Sequence, residues 1–149
     1  PGLVVAGEPV VIPRRIYNPE PSPGFARGLG GVEAVVAAAI YSRNHDGYVR
    51  QRQLAALLGS DEPWAAPFIV ALLGEYVIEI CLEIERFART EFPARPAMRQ
   101  SMSAFFAANR PFIELTRQRA ISYWLCDFRS VHARLDAAPA LAALSIFGG

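Results

Sequence analysis

Lysine is absent from this 149-residue chain: all fifteen basic residues are arginine, set against fourteen acids for a net charge of +1. A near-neutral chain lacks the basic excess that phosphate neutralisation favours, which counts against a dedicated nucleic-acid binder. The arginine bias fits a GC-rich bacterial genome as readily as a function. Cysteine and histidine are scarce too, at two each. Cys81 and Cys126 sit inside apolar helical patterns, where a thiol behaves as a small hydrophobe, so a reducing, cytoplasmic setting fits and a disulfide framework does not. No zinc-ligand spacing occurs, and Cys126 and His132, six residues apart on one helix, point to different faces. "GLGG" from Gly28 precedes a helix, but no strand of the kind a phosphate loop needs leads into it. No set of residues therefore identifies a catalytic centre, a metal site or a cofactor.

A membrane span is also missing. The most apolar stretch, Trp64 to Leu82, carries Pro67, Gly74, Glu75 and Glu79, and carboxylates at mid-bilayer are costly, so a buried helix pair is expected there. Because the chain begins at Pro1 rather than Met, an upstream segment is compatible with it.

What is present is a core. Hydrophobic residues make up 52% of the chain, which excludes disorder on composition. A domain of this length buries roughly 68–70% of the surface that its unfolded chain exposes. Residues 1–30 differ from the rest: Pro9, Pro13, Pro19, Pro21 and Pro23, with several glycines, remove amide donors and loosen the backbone, so an extended Pro/Gly-rich arm is expected. "LVV" and "VVI" within it suit short strand-like pieces. Its apolar side chains, Val4, Val5, Val10, Val11, Ile12, Ile16 and Tyr17, need cover on the helical body or on a partner.

Residues 31–149 are expected to form a single all-α domain. Val32, Val35, Val36, Ala39 and Ile40 recur at helical spacing. Asn44 and Asp46 end that run, and Asp46 or its neighbour can cap a second helix, Gly47 to Leu58. After "GSDEP", Pro63 or Pro67 opens a helix through Leu73. Gly74 then leaves two options, one continuous helix to Arg89 or a corner at Gly74–Glu75, and the second is predicted. "EFPARP" is a stop. Pro96 opens a helix to Asn109 with Met98, Met102, Phe105 and Phe106 inward. Pro111 opens the longest, to Leu135, with Ile121, Trp124, Leu125, Phe128, Val131 and Leu135 on one stripe, and Pro139 to Phe147 completes the chain.

A phrase recurs in this body. "GYVRQRQLAAL" laid over "EYVIEICLEIE" matches Tyr48 with Tyr76, Val49 with Val77 and Leu54 with Leu82, and "TRQRAISYWL" gives a weaker third copy through Arg117, Gln118, Arg119 and Ile121. Repeated helix pairs that cannot bury their inner faces alone do so by stacking. "HDGYVRQRQLAALL", with a helix before it, resembles the second helix of a HEAT or armadillo repeat, through Asp46, Val49, Arg50, Leu54 and Leu57. "GEYVIEICLEI" departs from that pattern, with Ile78 where arginine would stand. The resemblance covers about residues 32–90 and extends at most to 135. It implies a short stack of antiparallel helix pairs, a HEAT-like α-α superhelix, whose second helices line a surface for other proteins or, in some branches, for nucleic acid.

Charge is uneven: residues 60–92 hold seven acids and two arginines, and residues 93–149 hold seven arginines and three acids. Glu75, Glu79 and Glu83 recur every four residues. On one helix face they suit a metal or acid/base site, a solvated stripe, or pairing with Arg117, Arg119 or Arg129. No Glu-x-x-His motif accompanies them, as a carboxylate metal bundle requires. The expected interaction surface is Tyr48, Arg50, Arg52, Arg117 and Arg119, the arginines merging into one basic patch if the copies stack. The expected function is a non-enzymatic helical module that binds another protein or itself. Nucleic-acid binding through the arginines, with Tyr48, Tyr123 and Trp124 as stacking partners, is the alternative, and a small enzyme the third reading.

Overall fold

The computed structural model describes residues 2–149, and every side chain among them but that of Ala26; Pro1 of the expected arm lies outside the described residues. The chain is mostly helical, with one two-stranded hairpin at its start. The last helix, α9 (Pro139–Gly148), is packed on several sides, and its sequence PALAALSIFG has no charged residue. A helix without a polar face has to be buried all round, and here Pro139 to Leu144 and Phe147 are all buried. Around it pack α5 (Ala66–Leu73), α6 (Ile78–Thr90), α7 (Pro96–Ala108) and α8 (Arg110–Tyr123), with α6 making the most extensive contact. Leu72, Leu73, Ile80, Ile84, Met102 and Leu144 are fully buried in the shared core. Phe92 meets Phe147 edge-on with ring centroids 4.8 Å apart.

The helical run through Gly74 is broken, as its glycine and the repeated phrase suggest. Gly74, at φ −92° and ψ 24°, ends α5 and α6 begins at Ile78. The two Tyr-Val phrases nevertheless enter their helices differently. Tyr48 is the second residue of α3 (Gly47–Arg52), whereas Tyr76 lies before α6 and Val77 is the residue that precedes its first turn. That offset turns Leu82 outward while Leu54 is fully buried. Equal words therefore occupy unequal helix positions, and no repeat is identified among the described residues.

Two further runs end sooner than their patterns suggest. The segment from Gly47 to Leu58 divides at Gln53 into α3 and α4 (Leu54–Leu58). The Gln53 side-chain amide donates to the Val49 carbonyl at 3.0 Å while its backbone amide turns to the Arg50 carbonyl at 3.2 Å; a side chain inserted into the ladder is a recognised cause of a helix break. The long helix expected to Leu135 leaves α-geometry at Trp124, passes through a π-turn over Trp124–Phe128, and is closed by the Trp124 indole N–H donating to the His132 carbonyl at 2.6 Å. A π-turn adds a residue to the turn and shifts the stripe. Leu125, Val131 and Leu135 are consequently exposed, while Trp124 stays buried.

In α2 (Gly31–Tyr41) the core contact is made by Ala38 and Ala39 with the half-buried Val35, and Val32, Val36 and Ile40 form an exposed ridge at spacings of four. The first thirty residues are only partly extended. β1 (Leu3–Val5) pairs antiparallel with β2 (Glu8–Val10), turning at Ala6 and Gly7, both at positive φ, and α1 (Pro23–Gly28) is a short helix. Leu3 and Val5 are buried, whereas Val11 and Tyr17 are exposed. The hairpin is fastened by Asn109, buried at the α7–α8 corner. Its Oδ1 accepts from the Val4 amide and its Nδ2 donates to the Val4 carbonyl, each at 2.7 Å, much as a neighbouring strand would.

Candidate functional site

The corner between α2 and α3 is where the chain concentrates its polar groups. Asp46 caps α3, its Oδ1 accepting from the Tyr48 amide at 2.8 Å, the bond expected of an aspartate there. The backbone of the N-terminal segment is tied to the same corner: the Ile16 amide donates to the Arg43 carbonyl at 2.8 Å and the His45 amide to the Ile16 carbonyl at 2.9 Å. Tyr17 stacks on His45 with ring centroids 5.2 Å apart.

Inside the corner one carboxylate faces three guanidiniums. Glu75, from the break after α5, pairs with Arg15 through both oxygens, with Arg43 at 3.2 Å and with Arg50 at 3.7 Å. Arg50 is 0% exposed, and its Nη1 donates to the Asn44 and His45 carbonyls at 2.8 and 2.9 Å. Arg43 donates from Nε to the Pro13 carbonyl at 3.2 Å and from Nη2 to the Arg14 carbonyl at 2.9 Å. Four separate stretches of chain are thereby fixed to one another. Burial lowers the Arg43 pKa from its ordinary value, Glu75 opposing and the neighbouring Arg15 and Arg50 charges adding to the fall. For Arg15 burial acts the same way, but its hydrogen bond and charge attraction to Glu75 outweigh it and the pKa rises. The single carboxylate thus serves Arg15 best, and Arg43 Nη1, Arg50 Nε and Arg50 Nη2 are buried without a hydrogen-bond partner.

Above this cluster the two Tyr-Val phrases meet. A cleft of about 400 Å³ is lined by Asp46, Gly47, Tyr48 and Gln51 from the α3 side and by Tyr76, Val77, Ile78 and Glu79 from the α6 side. The approach is close at Gly47, where a Cβ would stand 3.1 Å from Val77 Cγ2 and 3.6 Å from Arg50 Nη2. The Arg50 guanidinium lies 5.7 Å from the Tyr76 ring centroid, within cation–π range, and so ties the buried cluster to the cleft wall. Tyr76 also packs against Tyr123, centroids 6.2 Å apart. Tyr48 is 76% exposed and Tyr76 52%. Neither Asp46 nor Glu79 holds an ion pair among the described residues.

The residues singled out from sequence are spread over several places. Tyr48 is on the cleft rim. Arg50 is interior rather than on the surface, because the carbonyls of the corner and Glu75 draw it inward. Arg52 pairs with Glu20 of the N-terminal segment. Arg117 borders a groove of about 560 Å³ beside the exposed Arg134–Asp136 pair, and Arg119 borders a smaller cavity on the other side of α8 from that pair's groove lining. Glu75 precedes α6 and so leaves the stripe expected with Glu79 and Glu83; it pairs with Arg15, Arg43 and Arg50 and not with Arg117, Arg119 or Arg129. Among the described residues no group of three or more His, Cys, Asp or Glu side chains is placed to hold a metal ion. No helix among the described residues is long and apolar enough to cross a membrane. Sequence reasoning missed Arg15 and Arg43, whose partner lies far along the chain. It also missed Tyr76 as a surface residue, although the recurrence of Tyr-Val pointed towards it. Compared with known proteins, the chain matches no family model, no curated protein and no solved structure.

Proposed function

We propose that this chain is a non-enzymatic protein-binding module whose Tyr48–Tyr76 cleft seats an extended segment of a partner carrying a basic residue beside an aliphatic one. The observation that carries this reading is the pair of exposed tyrosines lining one cleft together with Val77 and Ile78, with Asp46 and Glu79, which hold no ion pair among the described residues, in the same lining. Aromatic side chains supply large contact area for little conformational entropy and are enriched where partners bind. Asp46 and Glu79 would meet the partner's cation, and Val77 and Ile78 its aliphatic side chain. The volume is in the range of clefts that enclose small ligands and peptide side chains. The HEAT or armadillo resemblance of residues 32–90 is compatible with a binding role, since the second helices of that family line a surface for proteins or, in some branches, nucleic acid.

A second reading is self-association through Val32, Val36 and Ile40, favoured by their exposure as one ridge of α2. The nucleic-acid alternative has less support, because Arg50 is buried and Arg52 already has a carboxylate partner. The test is an NMR titration of the full chain with a ten-residue peptide alternating arginine and leucine, and with its glutamate–leucine counterpart. Binding of the basic peptide with shifts centred on Tyr48, Tyr76, Val77 and Ile78 is expected. Equal binding of the acidic peptide, or shifts centred elsewhere, overturns the proposal.

A further inference from the structure

Behind Arg43, away from the tyrosines, lies a second cavity of about 140 Å³ between the N-terminal segment, α5 and α8. Three arginines line it, Arg14, Arg43 and Arg119, and no acidic residue does. Arg14 and Arg119 hold no ion pair among the described residues, and Arg43 is buried with its Nη1 unpartnered. The remaining wall is apolar, with Leu3, Ile12, Phe112 and Leu115 among its residues. Buried donors without partners are costly. Here the deficit is of one sign, because Glu75, which accepts from Arg43 Nη2, is shared with Arg15 and Arg50.

We propose that this cavity binds a small organic carboxylate, its head among Arg14, Arg43 and Arg119 and its apolar body against Leu3, Ile12, Phe112 and Leu115. Guanidinium matches carboxylate geometry with paired donors and is the usual choice for enclosing such an anion. The size is also restrictive. An apolar cavity of about 150 Å³ holds one benzene, so this slightly smaller one takes a single ring at most, a benzoate's carboxylate lying on the open side that the exposed Arg14 and Arg119 line, and a nucleotide does not fit. A bare phosphate would satisfy the arginines and leave the apolar wall unused. The site is independent of the tyrosine cleft and of the reading built on it.

Calorimetric titration of the full chain with benzoate, benzyl alcohol and inorganic phosphate tests this. Benzoate is expected to bind at one site in the millimolar range or tighter, with benzyl alcohol at least about tenfold weaker for want of a charge-assisted hydrogen bond and phosphate at least about tenfold weaker for want of a ring to bury against the apolar wall. Arg119→Gln, at an exposed side chain that holds no ion pair among the described residues and keeping the aliphatic stem beside Gly74, is expected to weaken benzoate by about tenfold, with the thermal midpoint of the unliganded protein unchanged. Perturbed Phe112 and Leu115 side-chain resonances would place the ring. The proposal is overturned if benzoate fails to saturate, if benzyl alcohol or phosphate binds as well as benzoate does, or if Arg119→Gln leaves its affinity intact.

Discussion

Glu75 is the residue on which the α2–α3 corner depends. A buried ion cluster is poor grounds for claiming net stability, but removing one partner leaves charge stranded in a medium that solvates it badly. Glu75→Gln strands Arg43 and Arg50 and half-strands Arg15. Urea denaturation is expected to register a loss of about 3–5 kcal/mol, whereas Glu83→Gln, outside the cluster, should cost little. Cys81, buried in the core nearby, titrates away from its ordinary range. Burial, with Glu75 and Glu79 adding, pushes its thiol up to about 12 from an ordinary 9.0. The folded chain holds that proton more tightly than the unfolded one, so the neutral thiol's contribution is whole below pH 9 and lost as pH rises towards 12. Stability in Cys81→Ala should therefore fall less steeply over that window, by up to about 1.4 kcal/mol per pH unit. At neutral pH, mass spectrometry after maleimide treatment should find the exposed Cys126 modified and the buried Cys81 not. None of these partnerships could be read from sequence. Glu75 lies 60 residues from Arg15 and 32 from Arg43, and charge spacing along a helix says nothing about contacts made across the fold.

At the scale of elements, legibility followed the strength of the local pattern. α9 is plain because it has no charge at all, and α6 because Ile80, Ile84 and Phe87 recur against a charged opposite face. Proline marked the starts of α7 and α9, and Asp46 the start of α3. The misses have local causes that composition hides. Gln53 competes for a carbonyl, Trp124 finds one beyond the helix, and α2 meets the core through Ala38, Ala39 and Val35 while Val32, Val36 and Ile40 face outward. The cleft was half legible: the repeated Tyr-Val phrase flagged its two walls, but only the fold brings them together. Asn109 was legible merely as a helix end, although it also holds the hairpin. Asn109→Ala leaves the Val4 amide and carbonyl without their partners, at a cost of about 1–3 kcal/mol. Hydrogen exchange should show Val4 losing protection while the amides of α6 keep theirs; unchanged exchange at Val4 would mean that the hairpin is held by Leu3 and Val5 alone.

For the whole molecule the division into arm and body is less sharp than composition suggests, since Leu3 and Val5 join the core and Arg15 the buried cluster. Burying an aliphatic side chain contributes about 1.5–3 kcal/mol, so deletion of residues 1–30 should lower the melting temperature by roughly 10 °C or more in a domain of this size. Equal stability of the truncated chain would make that segment a linker.

The function proposed for the molecule rests on the cleft, and Tyr48 tests it most directly because its side chain is exposed and the fold gains little from it. The decisive measurement is the affinity of Tyr48→Ala for the arginine–leucine peptide by fluorescence anisotropy, with thermal melting recorded on the same samples. A loss of about tenfold or more in affinity, of the size that truncating a central aromatic anchor produces, with an unchanged melting temperature is the result predicted. Undiminished affinity, with or without a lower melting temperature, would contradict the account.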